Sequence, residues 1–307
     1  MQYEIYKFEF TSAVHFGEGM LNESGYSFTA DRLFSALYIE AMRQGLEEEL
    51  LYFVKEGGLR FSDAFPYTDD RYLLPKPVMY IAPQDQGDSV QKKFYKNLKY
   101  IPAEDMESFV KGRYVPGDNP MEGFGKYVQR NIAAVSMVGD TEPFYVGTYE
   151  YEPGNGLYVI VGYEGDEELE LAEILLESLS YTGIGGKKTS GLGKFNLKKG
   201  KMDKSLQKML ESSQGSGTRM LLCGALPRDE EMEGALEGAT YLLELRSGYV
   251  ASDTHAPELV RKKDLYMVAA GSCFHEPFGG DVYNVSKGGA HPVYRYGIAM
   301  FAGISQA

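Results

Sequence analysis

Gly183-Ile184-Gly185-Gly186-Lys187-Lys188-Thr189-Ser190-Gly191-Leu192-Gly193-Lys194-Phe195 packs five glycines, three lysines and two hydroxyls into thirteen residues. Glycine reaches positive φ and lets a ligand approach the main chain. Successive N–H groups in such turns form anion-binding concavities, and the ammonium groups add charge. A phosphate-bearing ligand is the natural partner; a flexible loop with solvated lysines is the plain alternative. Nucleotide fingerprints fail on spacing. Gly186-Lys187 is followed by Lys188 rather than Ser or Thr, and Gly183-Ile184-Gly185 meets Lys188 where G-x-G-x-x-G needs its last glycine. Just upstream, Asp166 to Tyr181 has helical periodicity. Leu171, Ile174, Leu175 and Leu179 form its apolar face, Glu167, Glu170, Glu173 and Glu177 its outer one, and Gly183 is the stop. A phosphate in the loop therefore meets the negative end of the helix dipole. This favours a lysine-armed cradle for a charged polymer over a nucleotide pocket.

The chain has 307 residues, 43% of them hydrophobic, enough for one large or two ordinary domains with packed cores. Met1 to Phe10 alternates like a strand, and no run of 18 apolar residues is present, so neither a leader nor a membrane span is expected. Cys223 and Cys273 lack metal-ligand spacing and fit buried thiols in a reduced, cytoplasmic setting. Net charge is −13, yet Tyr181 to Lys204 carries +6. A second basic cluster, Lys92, Lys93, Lys96 and Lys99, alternates with Phe94, Tyr95 and Tyr100. That pattern suits phosphate contact with base stacking, and equally a solvated helix face over tucked aromatics. Nucleic acid is thus confined to particular grooves, and the acidic remainder faces protein.

Read in order, Tyr3 to Phe10 predicts a strand and Val14 to Gly19 a loop. A helix capped at Ser27 or Thr29 runs to about Arg43, with Leu33, Phe34, Leu37, Tyr38 and Ala41 inward. Strands follow near 59–61, 78–81 and 156–163, then the Glu-rich helix, the glycine loop and a closing strand over 194–198. Residues 82–142 read as an irregular insertion, too long for an ordinary connection. The fold class is α+β with a βαββαβ, ferredoxin-like order. Ser212 to Gly217 is the linker, dividing 1–212 from 213–307. The second unit carries strands over 220–226, 240–246, 265–274 and 294–301 and a helix over 229–236, and reads as a degenerate copy of the first.

Four segments then carry a family resemblance: Val14-His15-Phe16-Gly17 ahead of Phe28-Thr29-Ala30-Asp31-Arg32-Leu33-Phe34, Leu74-Pro75-Lys76-Pro77, the loop from Gly185 to Phe195, and His291-Pro292-Val293-Tyr294-Arg295-Tyr296-Gly297. Their ordered set resembles the RAMP superfamily, specifically the fourth-subunit family of the Csm effector complex of type III-A CRISPR systems. The resemblance implies two ferredoxin-like domains, the second degenerate, with a β-hairpin thumb in the insertion, placed by position at about 84–142. It implies a non-catalytic subunit of an antiviral ribonucleoprotein. That subunit holds the 5′ tag of crRNA, docks the large polymerase-type subunit and a backbone RAMP subunit, and meets target RNA in the assembled complex. Candidate RNA contacts are His15, Gly185, Gly186, Lys187, Lys188, Thr189, Ser190, Gly191, Gly193 and Lys194, with Lys92, Lys93, Lys96, Arg130, Asn131, Arg261 and Lys262. Where members often show Arg-Asn-x-Ile-Asp-Arg, this chain has Arg130-Asn131-Ile132-Ala133-Ala134.

The alternative is a metal-independent RAMP endoribonuclease that processes precursor crRNA, with His15 as its base and Asp31 as a residue the fold brings near. The other histidines, His255, His275 and His291, have no acid or base partner at local spacing. Asp69-Asp70 reads as a solvated turn. No metal or cofactor is expected. Gly279-Gly280-Asp281 and Lys287-Gly288-Gly289-Ala290-His291 read as tight hairpin turns, the alternative being close backbone approach of RNA or a neighbouring subunit.

Overall fold

The computed structural model describes residues 1–81, 89–115, 119–134, 142–215, 217–250, 255, 258 and 260–304. In chain order these form β1 (Gln2–Phe10), α1 (Ala30–Gln44), α2 (Glu47–Lys55), β2 (Leu59–Phe61), β3 (Phe65–Thr68), β4 (Arg71–Pro75), α3 (Ser89–Asn97), β5 (Tyr100–Pro102), α4 (Met106–Val110), β6 (Gly125–Ala134), β7 (Glu142–Tyr151), β8 (Asn155–Tyr163), α5 (Asp166–Thr182) and β9 (Phe195–Gly200). They continue with α6 (Lys204–Glu211), β10 (Arg219–Leu221), α7 (Asp229–Leu236), β11 (Leu243–Arg246), β12 (Leu265–Val268), β13 (Cys273–Phe274), β14 (Val282–Asn284), β15 (Tyr294–Tyr296) and β16 (Phe301–Gly303). The architecture is mixed α and β, with antiparallel sheets.

The main sheet runs β5-β4-β3-β8-β1-β9, and β2 also pairs with β8. Ile5 sits opposite Ile160 on one side and Gly200 on the other. Leu157 to Val161 is a continuous apolar run, and all five residues are fully buried. Burial on both faces removes the pressure for a period of two. On α1, Leu33, Phe34, Leu37 and Ala41 form the predicted stripe. Buried Glu40 interrupts it and accepts hydrogen bonds from Ser178 Oγ (2.8 Å) and Thr182 Oγ1 (2.9 Å) of α5. On α5, Leu171, Leu175 and Leu179 are buried as expected, but Ile174 is exposed and Leu176 takes the inner position.

The start of α1 follows Thr29, whose side chain does not cap it. Instead, buried Asp63 accepts the Ala30 N–H at 2.7 Å, a cap contributed by a segment 33 residues away.

Several local expectations are corrected. Val78 to Ile81 is not a strand: Val78 makes one isolated bridge to Ser272, and Pro75 and Pro77 lack the N–H groups a ladder needs. The region 82–142 is not irregular where described, since it holds α3, β5, α4 and β6. β6 pairs with β7 over ten residues, so the hairpin continues past 142 to Tyr151. The basic residues 92–100 lie on and after α3, outside that hairpin. The closing strand reaches Gly200 and is followed by α6. Near the expected linker, Arg219 Nε donates to the Ser213 carbonyl (2.8 Å) and Nη1 to that of Gly217 (3.2 Å).

The C-terminal strands are shorter than predicted. The 265–274 stretch splits into β12 and β13 around Gly271, whose φ of 90° no other residue adopts readily. The 294–301 stretch splits into β15 and β16. β13-β10-β16 form a small sheet, while β11-β12 and β14-β15 are two-stranded ribbons. One apolar cluster runs from the main sheet into this part, through Phe34, Phe61 and Tyr296. Tyr296 is fully buried, its hydroxyl accepts the Phe61 N–H at 2.9 Å, and its ring lies 5.5 Å from Phe34.

Candidate nucleic-acid interface

The glycine loop leaves α5 at Gly183, whose N–H donates to the Leu179 carbonyl at 2.7 Å. From there it is pinned by its own backbone. Ile184 N–H donates to Gly193 (3.0 Å), Gly193 N–H to Ala13 (2.9 Å) and Gly186 N–H to His15 (2.8 Å). A Cβ on Gly193 would lie 2.0 Å from the Ile184 oxygen, and one on Gly186 2.6 Å from His15 Cδ2. Ser190 and Gly191 donate back to Lys187 and Lys188. The N–H groups of Ile184, Gly186, Ser190, Gly191 and Gly193 are therefore satisfied internally. The glycines serve mainly to let the loop pack on the segment after β1, and the side chains of the loop are left as its outward polar groups.

Lys187 has φ 58°, left-handed for a residue with a Cβ. That turn sets its ammonium over the Phe144 ring of β7, 5.1 Å from the centroid. Lys188 is half-buried, and burial pulls its ammonium pKa below the ordinary value against the opposing charge of Glu40. Thr189, Ser190, Gly191 and Lys194 are exposed, whereas Gly193 is buried. Lys194 is fixed through its backbone, with its N–H on Ser12 Oγ and its carbonyl on the Thr11 N–H.

His15 joins loop to hairpin. It is buried (8% exposed), and its Nδ1 lies 2.6 Å from the Gly147 carbonyl of β7. A carbonyl only accepts, so Nδ1 carries the proton. Val14 and Tyr149 exchange both backbone hydrogen bonds at 2.9 Å, and Gly147 N–H donates to Leu21. Glycine loop, post-β1 segment and hairpin thus form one connected unit. On the hairpin, Arg130 is drawn to Glu150 at 2.9 Å, while Asn131 is exposed opposite exposed Tyr145.

The remaining candidates lie elsewhere. Lys92, Lys93 and Lys96 are exposed on α3, with Phe94 and Tyr95 packed beneath. Arg261 is exposed and ion-paired with Asp264 at 3.6 Å; Lys262 is half-buried. His15 and Asp31 take different partners, since Asp31 binds Arg295 (Nη1–Oδ2, 2.5 Å) in a buried pair. His255 stacks edge-on against His291 at 4.8 Å, and His275 is exposed. Asp69 and Asp70 form a turn beside Lys7. Both cysteines are buried thiols. Among the described residues no group of three or more His, Cys, Asp or Glu gathers as metal ligands, and no helix is long and apolar enough to cross a membrane.

Sequence reasoning missed a second constellation. Arg32, Arg246 and Arg295 meet Asp31 and Asp63 where α1 faces the C-terminal strands. Asp63 accepts N–H groups from Ala30 and Gly224 (3.0 Å), and burial pushes its carboxyl up to about 7. No local spacing signals a set of residues spread over more than 260 positions.

Residues 214–304 match the family model of the CRISPR Csm4 C-terminal domain. The chain is 36% identical to the CRISPR system Cms protein Csm4 of Mycobacterium tuberculosis, covering 100% of this chain and 99% of that one. It is 32% identical to the protein of the same name from Streptococcus thermophilus, over 98% of each. The fold is shared with the Csm3-Csm4 subcomplex of a type III-A CRISPR-Cas interference complex (TM-score 0.67, 16% identity, all of both chains). It is also shared with a Csm1-Csm4 cassette in complex with pppApA (TM-score 0.60, 19% identity, 100% and 99% of the two chains). Full-length identity to these relatives, with the matching C-terminal model, makes the chain a member of the Csm4 family, the RAMP-type fourth subunit of the type III-A CRISPR Csm complex.

Proposed function

We propose that this protein is a non-catalytic RNA-binding subunit that holds the 5′ tag of crRNA in a type III-A interference complex in the cytoplasm. The carrying observation is the connected unit of glycine loop and β6–β7 hairpin. A left-handed Lys187 is held over Phe144, beside half-buried Lys188 and exposed Lys194. Lysines on a pinned backbone meet phosphates with little ordering cost, and exposed Tyr145 and Asn131 offer a stacking ring and an amide nearby. In this reading the β6–β7 hairpin is the thumb, and Thr189, Ser190 and Gly191 line the strand's path. His15 positions the loop from below; Gly185, Gly186 and Gly193 permit its packing. Lys92, Lys93, Lys96, Arg130, Arg261 and Lys262 are secondary contacts.

The N-terminal unit, 1–212, is read as ferredoxin-like: β9-β1-β8-β3 follows the 4-1-3-2 order of that fold, with α1 and α5 packed together. Residues 213–307 form the degenerate second unit. The large subunit and a backbone RAMP subunit are the protein partners, in line with the Csm1-Csm4 and Csm3-Csm4 assemblies of structural relatives. The nuclease alternative is disfavoured because His15 is buried beneath the loop, 8% exposed, and Asp31 is paired with Arg295 instead.

The test is to purify the tagged chain with its partner subunits, extract the nucleic acid and size it. A ribonuclease-sensitive strand of discrete length is expected. An RNA-free complex, or cleavage of repeat RNA in EDTA that His15→Ala abolishes, contradicts the reading.

A further inference from the structure

The segment between β1 and α1 runs from beneath the glycine loop to the start of α1. Its His15 carbonyl takes the Gly186 N–H at 2.8 Å, and its Gly17 carbonyl takes Arg32 Nη2 at 3.1 Å. Arg32 is exposed there. One residue before it, Asp31 binds Arg295, a side chain only 7% exposed. On the facing strands, Arg246 Nη2 lies 3.6 Å from the Cβ position of Gly224, the residue whose N–H caps Asp63.

These groups are not fully satisfied by the protein. The Nε donors of Arg295 and Arg246 are buried and have no hydrogen-bond partner among the described residues. Such donors cost about 1–3 kcal/mol each when nothing accepts from them. Lys262 has no ion-pair partner among the described residues, and burial, with the Arg295 charge, pulls its ammonium pKa below the ordinary value. Among the described residues the acids there are Asp31, Asp63 and Glu244, the last 2.6 Å from Arg246, with Glu18 near Arg32. Arg295 is engaged by Asp31 and Arg246 by Glu244, which leaves two guanidinium edges and an ammonium for an outside anion.

We propose that this seam between α1 and the C-terminal strands is a second anion site. It takes a phosphodiester of the single-stranded RNA gripped by the glycine loop, farther along the same strand. The proposal rests on the RNA reading above. A phosphate supplies an acceptor oxygen for an orphaned Nε group and countercharge to Lys262, whose charge Arg295 already feels. The post-β1 segment supplies the route between the two sites.

The full-length chain is titrated with fluorescent single-stranded RNA of about four and about twelve nucleotides, across a salt series. Lys262→Gln and Arg246→Gln are compared with wild type, and Lys262→Arg serves as the rescue. Because Arg246→Gln touches a buried group, Lys262→Gln is the decisive variant if only one folds. Expected is a five- to tenfold loss on the longer strand. Its log–log salt slope becomes shallower by about 0.7 for each phosphate no longer neutralised, the shorter strand is unaffected, and Lys262→Arg recovers the longer one. If both lengths bind as in wild type while glycine-loop lysine variants still weaken, the seam proposal fails and the functional reading stands. Unchanged RNA affinity with weakened partner-subunit binding also overturns it, because the seam then serves a protein carboxylate. If wild type binds neither strand, both readings fall together.

Discussion

The glycine loop and α3 carry similar lysine counts and behave as opposites. On α3, Lys92, Lys93 and Lys96 project into water while Phe94 and Tyr95 anchor the helix from beneath. Each ammonium is free to reorient and loses side-chain entropy on meeting a phosphate. In the glycine loop, backbone hydrogen bonds to Ala13 and His15 fix the chain, and Lys187 and Lys188 are half-buried. In the proposed reading, positive charge alone does not mark a binding site; charge held on a pinned backbone does.

The strongest way to break the comparison is Gly193→Ala. Its φ of 76° disfavours any Cβ, and the added carbon would lie 2.0 Å from the Ile184 oxygen. We expect a loss of about 3 kcal/mol or more by denaturant melt. A tolerated alanine means that the loop is not pinned as described.

The seam tests the same principle with an acid. Asp63→Ala leaves the Ala30 and Gly224 N–H groups without their acceptor and should cost about 2–4 kcal/mol. Asp63→Asn keeps an oxygen there and isolates the charge. Burial raises the folded-state carboxyl to about 7, opposed by those two N–H groups and by Arg246. The folded form therefore binds more protons than the unfolded one between about pH 4 and 7, and this group's contribution declines as pH rises through that window. The stability difference between wild type and the Asn variant should shift by about 2–4 kcal/mol across it, and a flat difference contradicts the assignment.

His15→Ala removes the strut between loop and hairpin and leaves Gly147's carbonyl unpaired, with an expected cost of about 1–2 kcal/mol. At the bottom of the scale, replacing Lys92, Lys93 and Lys96 together with Ala should move stability by less than about 0.5 kcal/mol and RNA affinity only a few-fold. A tenfold affinity loss there makes α3 a primary contact and erases the contrast.

How much was legible follows the range of the forces. β1, β8 and α5 were readable because alternation, an unbroken apolar run and helical spacing, respectively, fix them within one segment. Ile174 was misassigned because α5's buried arc is centred on Leu175 and Leu176, one position round from the face the spacing suggested. The glycine loop was found by composition, yet five of its N–H groups are satisfied internally, which depends on the post-β1 segment packing beneath it. The C-terminal strands were drawn too long because Gly271 and Gly297 interrupt them where neighbouring backbone passes close. The seam was invisible: Asp31 and Arg295 lie 264 residues apart and meet only through the fold.

The most direct measurement is the salt-dependent affinity of the full chain for single-stranded RNA with Lys187, Lys188 and Lys194 all replaced by Ala. Retained thermal stability, a loss of at least about tenfold and a salt slope shallower by about 2 are predicted. Wild-type affinity and slope in that variant, with the fold intact, contradict the claim that the pinned loop grips the strand.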